Sequence, residues 1–233
     1  MIIFFGLSLF PVFYIIFFKQ NGNTSLLKKY ILYLVLAFGS IYIIEFGYAL
    51  YWALVIALVG FFEVLKHLRL YNKNKLIPII IYLLFALNFV VVNYIYLNEN
   101  NLREGMLYVY ALVLVFDGMS QLGGQIFGRR KLTSQLSPNK TLEGLITGIV
   151  FCYLANMAIY LQGDVVFVKF IYWIAPMLIS IAALSGDLLA SYYKRVCGIK
   201  DYSNLLPGHG GILDRYDGVI GASVVVWILN FAQ

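Results

Sequence analysis

Charge is scarce in this sequence: of its 233 residues, 12% are Asp, Glu, Lys or Arg. That scarcity excludes a disordered chain, which needs high charge with low hydrophobicity. Cysteine is nearly absent too. Cys152 lies in an apolar run and Cys197 in a polar connector, so the two cannot pair and no disulfide framework is implied. With only two histidines, no haem, flavin or zinc pattern is visible. There is no internal repeat, no low-complexity linker and no segment that reads as a soluble domain. The first apolar run lacks both a charged leading region and a small-residue cleavage site, so it reads as a retained span rather than a signal peptide.

What remains is hydrocarbon. Hydrophobic residues make up 62% of the chain, against the ~45–50% usual in soluble domains. Apolar runs near 2–18, 31–44, 48–62, 76–97, 106–122, 144–161, 168–189 and 217–231 are candidate helices. Several are slightly shorter than the ~20 residues that cross a bilayer core comfortably. The expected fold is all-α, a polytopic integral membrane protein of about eight transmembrane helices. It forms one membrane domain over 1–233, in which 1–105 is scaffold and lipid-facing and 106–233 carries the motifs.

Basic residues near span ends stay on the cytoplasmic side. With eight alternating spans and an external amino terminus, the internal loops are 19–30, 63–75, 123–143 and 190–216. They hold fifteen of the seventeen lysines and arginines, leaving only Arg103 and Lys169 outside. Both termini are therefore expected to be external. The +6 net charge is what this topology requires and suits anionic headgroups, so no nucleic-acid partner is implied.

Acids at membrane depth are costly, about 2.5–3.5 kcal/mol at a helix centre on insertion scales, so each needs a reason. Glu63 lies close before Lys66 and His67 and is expected to form an interfacial ion pair. Glu45 marks an external turn. Asn88, Asn93 and Asn156 suit interhelical hydrogen bonds. Asp117 differs, because it follows the apolar stretch Leu107 to Phe116 with no basic residue within a helical turn, and it reads as functional.

The densest chemistry lies between Ser185 and Gly218. Asp187, Ser191 and Lys194 stand four and seven residues apart, on one helix face, with Arg195 beside them. A connector follows, with Lys200, Asp201 and then Pro207-Gly208-His209-Gly210-Gly211, and the stretch closes on Asp214, Arg215 and Asp217. Carboxylates from helix ends, with basic side chains and a glycine-rich turn, suit a divalent metal and phosphate. A second block runs from Asp117 through Gly124 and Phe127-Gly128 to Ser137-Pro138, Lys140-Thr141 and Glu143-Gly144. The run before Glu143 is expected to open a helix, with Lys140 at an anion-binding amino terminus.

These two blocks resemble the signature of the phosphatidate cytidylyltransferase (CDP-diacylglycerol synthase) family, roughly S-x-x-K-R, K-D and P-G-H-G-G-x-x-D-R-x-D. They cover the carboxy-terminal half; residues 1–105 match only as spans. The chain departs from the family's common pattern at Ala190, where a glutamate is usual, and at Ser120-Gln121, where Ala-Tyr is usual. The resemblance implies that CTP and phosphatidate become CDP-diacylglycerol and pyrophosphate at the cytoplasmic face of a bacterial membrane. It implies Mg²⁺ on Asp187 and Asp214, with Lys194 and Arg215 as further catalytic residues. Substrate contacts would come from Asp117, Ser137, Lys140, Thr141, Ser191, Arg195, Lys200, Asp201, His209, Gly210, Gly211 and Asp217. The implied partners are CTP, phosphatidate or a similar membrane lipid phosphate, the bilayer and, as a further option, a second copy in a homodimer. Two other readings stand beside this one. One is a CTP-using enzyme with another lipid phosphate or alcohol as acceptor. The other is a transporter or non-catalytic membrane subunit, for which an inverted repeat would be expected in a transporter.

Overall fold

The computed structural model describes residues 24–68, 76–96, 100–133, 136–161, 169–206 and 210–230. Within them the chain forms α1 (Thr24–Glu45), α2 (Ala49–Leu68), α3 (Leu76–Tyr96), α4 (Asn100–Phe127), β1 (Lys131–Thr133), β2 (Ser137–Thr141), α5 (Leu142–Leu161), α6 (Lys169–Val196) and α7 (Leu213–Asn230). The expected span 2–18 lies outside the described residues. Among the described residues four helical stretches are long and apolar enough to cross a membrane, which leaves the expected count of about eight unconfirmed: Ala49–Lys66, Gly105–Phe127, Leu142–Leu161 and Tyr172–Val196. Val35–Glu45 and Tyr82–Ile95 are shorter apolar helical stretches.

Two helices outrun their apolar runs, and that overrun positions the site. α4 and α6 each have 28 residues. At 1.5 Å per residue they reach about 42 Å, beyond the ~30 Å hydrocarbon core. Ser191, Lys194 and Arg195 therefore ride on the last turns of α6 instead of in a loop. Gly198 ends that helix at φ +68°, where its N–H donates to Arg195 O and that of Ile199 to Lys194 O, a glycine-terminated cap.

The chain is not purely helical. Residues expected to open a helix around Lys140 instead form β2, paired antiparallel with β1 through Lys131 with Thr141 and Thr133 with Ser137. Pro138 biases Ser137 toward extended backbone, and the helix waits for Thr141, whose Oγ1 accepts the Gly144 N–H at 3.1 Å.

α4 is the hub, with 67% of its span buried inside the protein against 28% for that of α5. It packs against α1, α3, α5, α6 and α7, and α7 also touches α2 and α3. Close approach depends on glycine. A Cβ on Gly144 would stand 3.1 Å from the Gly124 Cα, and one on Gly186 would stand 2.8 Å from that of Gly221. These contacts draw α5 onto α4 and α7 onto α6 through the small-residue packing that membrane helices use. Away from the motifs, Trp52 sets its ring edge-to-face on Phe89, Tyr110 and Tyr216 and so joins four helices.

The polar residues inside the bundle largely act between helices, as expected. Asn88 donates to Ser223 Oγ at 2.9 Å, and Asn156 takes the Tyr108 hydroxyl at 2.6 Å while donating to Tyr172 O. Asn93 differs: its Nδ2 bonds Phe89 O in its own helix. Glu45 closes α1 beside the turn at Gly47, so a turn does follow it as expected. Outward-facing Phe62, Leu84, Leu154 and Ile181 leave an apolar exterior.

Candidate active site

The site gathers where α4, α6 and α7 converge. On α6, Ser191 donates to Asp187 Oδ1 at 3.4 Å, one helical turn apart, as the spacing predicts. Asp187 Oδ2 forms an ion pair with Lys140 Nζ, so β2 of the first block reaches the end of α6 in the second. Arg195 strengthens this seam by donating from Nε to Leu136 O at 3.3 Å. Lys194 does not join Asp187. Its Nζ lies 2.6 Å from Asp214 Oδ1, in a pair whose side chains are only 12% and 3% exposed.

Asp117 comes to the same place from α4. Its Oδ2 faces Gly218 of α7, 3.3 Å from where a Cβ would stand. Asp117 lies within electrostatic reach of Asp187, Lys140 and Arg215. Asp217 lies within reach of Asp187, Lys194 and Asp117. Three carboxylates from three helices thus share one electrostatic neighbourhood, with cations from both blocks around them. Asp217 also lines a cavity of about 60 Å³ whose other walls include Tyr82, Phe85, Leu189, Ala190 and Ile220.

The connector is built around Asp214. Its Oδ2 accepts N–H groups from Tyr202 at 2.9 Å and Gly211 at 2.8 Å, while Lys194 holds Oδ1. Tyr202 stacks on Tyr193 and lies under the Lys194 ammonium, 5.2 Å from its ring centre. Burial pushes the Tyr202 phenol up, and the nearby Asp217 and Asp214 carboxylates push it the same way. Gly210 takes φ +85°, and a Cβ there would stand 2.8 Å from Asp214 Oδ2, so this turn requires glycine.

Several expected contacts have other work. Gly211 gives its N–H to Asp214, so that amide is not open to a phosphate. Thr141 caps α5, Ser137 pairs within the hairpin, and Lys200 and Asp201 are exposed. Pro207, Gly208 and His209 lie outside the described residues. Glu63, read as an interfacial residue, is 4% exposed and bonds the connector as well. Its Oε1 accepts from Ile212 N at 3.0 Å and Ser203 Oγ at 2.5 Å, and its Oε2 from Leu213 N at 2.9 Å. Lys66 and His67 suggested a local partner for Glu63, and nothing in the sequence pointed to these distant ones. Tyr202 and Ser203 carried no sequence signal of their own.

Comparison with known proteins agrees in one direction. Residues 2–232 match the model of the cytidylyltransferase family. The chain is 34% identical to a phosphatidate cytidylyltransferase of Rickettsia prowazekii over 168 residues, covering 67% of this chain and 73% of the relative. It is 33% identical to that of Rickettsia bellii over 143 residues, 58% and 62% of the two chains. It is 39% identical to that of Haemophilus influenzae over 125 residues, 50% and 42% of the two. This chain thus spans between 42% and 73% of these relatives' own length.

Proposed function

We propose, since the chain belongs to the cytidylyltransferase family, that it transfers the cytidylyl group of CTP to phosphatidate, giving CDP-diacylglycerol and pyrophosphate. A lipid phosphate oxygen attacks the α-phosphorus of CTP in line, and the bond to the β-phosphate bridging oxygen breaks. The nucleophile is already an anion, so no strong base is required. What the protein supplies is alignment and charge neutralisation of two phosphates that repel each other. The observation that carries this reading is the ion pair of Lys140 with Asp187, which joins both blocks at the end of a long apolar helix.

In this reading Lys140, Lys194, Arg195 and Arg215 take phosphate oxygens. Asp117 and Asp217 restrain the cations between turnovers. Ser191 orients Asp187, and Asp214 holds the connector against α6. Asp187, with its side chain 30% exposed, fits a divalent cation in donor chemistry, whereas Asp214 already gives Oδ1 to Lys194 and Oδ2 to two backbone N–H groups, so a cation would reach it only in place of the Lys194 ammonium. Among the described residues no group of three or more His, Cys, Asp or Glu forms a metal cage. When bound, Mg²⁺ neutralises the reacting phosphates and the departing pyrophosphate.

In this reading the chain crosses a bacterial cytoplasmic membrane about eight times with both blocks on the cytoplasmic side, where CTP is soluble; the support is that fifteen of the seventeen lysines and arginines fall in the loops so assigned. A second reading keeps the chemistry and changes the acceptor. It is favoured by the cavity beside Asp217, where Ala190 forms part of the wall. The test is pyrophosphate release from CTP by the purified protein in lipid micelles with and without phosphatidate. Release that depends on phosphatidate is expected, and release only with another lipid phosphate or alcohol would move the assignment to the second reading.

A further inference from the structure

We infer that Glu63, on a helix remote in sequence from both blocks, is the positioning residue of the active-site turn. Its carboxylate accepts the N–H groups of Ile212 and Leu213, the residues that begin α7, and the hydroxyl of Ser203 from the opposite limb of the connector. The opening N–H groups of a helix have no partner within it, and a carboxylate there satisfies them while complementing the helix dipole. Capping of this kind usually comes from a residue next to the helix. Here it comes from α2, 149 residues away at Ile212, so it also fixes where α7 begins relative to the rest of the protein.

The consequence passes along a short chain of atoms. Ile212 and Leu213 directly precede Asp214, whose carboxylate gathers Gly211, Tyr202 and Lys194. Holding the first two residues sets the depth and rotation of the turn that presents Asp214, Arg215 and Asp217. Glu63 and Asp214 act as paired clamps, one on the protein side of the connector and one on the site side. The glycine at 211 belongs to the same device, because a Cβ there would overlap the Glu63 carboxylate. The clamp also closes the amino terminus of α7 to the triphosphate: its first amides already hold an anion, so phosphate is left to the lysines and arginines.

This role rests on the cytidylyltransferase reading, and the test separates the two. The full chain is purified in phosphatidate-containing micelles as wild type, Glu63→Gln, Glu63→Ala and Gly211→Ala, with Ser223→Ala as a control that removes another interhelical bond to α7. Two quantities are read, amide hydrogen exchange across 201–213 and the kcat and KM for CTP. Glu63→Ala and Gly211→Ala should both speed exchange at Ile212 and Leu213 and lower kcat about 10- to 100-fold, because small misplacements of reacting groups cost on that scale. KM should change little. Glu63→Gln retains one acceptor oxygen and should fall between wild type and Glu63→Ala on both readouts. Ser223→Ala should leave the exchange of the turn and kcat near wild type. Unchanged exchange at Ile212 and Leu213 in Glu63→Ala overturns the inference, as does altered exchange accompanied by wild-type kcat. If the wild type releases no pyrophosphate, the functional reading fails instead, and exchange alone still decides whether Glu63 holds the turn.

Discussion

Two connectors meet at the site, and carboxylates hold them in contrasting ways. The first, leaving α4, is held by Glu143, which accepts the Arg129 N–H at 3.0 Å and that of Arg130 at 3.1 Å. This clasp is exposed and closes a loop of only 14 residues. The second, leaving α6, is held by Glu63 across about 150 residues, in a buried position. A short exposed clasp competes with water at every moment. A buried one has no such competitor, and losing it leaves backbone donors without partners at a cost of about 1–3 kcal/mol. The first connector can thus yield as a substrate arrives, whereas the second is a fixed reference. Lys140 is presented by the yielding side and pairs with Asp187 of α6, and Asp214 is presented by the fixed one and pairs with Lys194 of the same helix.

The largest loss should follow removal of the α6 carboxylate that pairs with the yielding side. Asp187→Asn should lower turnover about 10²–10³-fold, a scale typical of removing one preorganised electrostatic group from a reacting centre, while the protein still inserts. Steady-state CTP turnover and membrane yield check this together, and wild-type turnover in that variant would remove Asp187 from the mechanism. Next should come the lysines, which separate the connectors. Lys140→Met sits on the yielding side and should raise KM for CTP about tenfold with a smaller change in kcat, as lost ground-state binding does. Lys194→Met should lower kcat and also destabilise the protein, since it strands the 3%-exposed Asp214 side chain without its cation. Thermal unfolding in micelles separates the two: a marked drop for Lys194→Met against little change for Lys140→Met is expected, and equal drops would erase the contrast.

Glu143→Gln should do least to turnover, within about threefold, as for most exposed substitutions. Its visible effect should be faster amide exchange at Arg129 and Arg130 with the 201–213 turn untouched. Exchange that rises in both connectors would show them to be one unit. The mildest probe of all is topological. Single cysteines at the exposed positions Arg130 and Leu205 should react with an impermeant reagent from the same, cytoplasmic side, and labelling from opposite sides would part the connectors.

Much of this was legible from local pattern. The apolar runs foretold the helices, because hydrocarbon demands unbroken backbone hydrogen bonding over a fixed length. Asp187 with Ser191 was legible for the same kind of reason, since a four-residue step on a helix fixes a neighbour. The hairpin at Lys131–Thr141 was harder to see, because Ser137-Pro138 and a capping threonine suit both a strand end and a helix start. Lys194 also departed from local expectation. Its spacing allowed it to meet Asp187, but Asp214 on the next helix lay within its reach and was the more buried partner.

The sequence by itself determined the membrane class, the helical runs, the two motif blocks and the residue types that suit phosphate and a hard cation. All of these follow from composition or from spacings shorter than a few helical turns. Only the tertiary structure decided that Lys140 reaches Asp187, that Asp117 and Asp217 share its neighbourhood, and that Glu63 holds the start of α7. Those pairings depend on how closely glycine lets α4 meet α5 and α6 meet α7, and on how far each helix runs past its apolar stretch. Such quantities are set by packing between segments as much as 150 residues apart, and no periodicity along the chain encodes them.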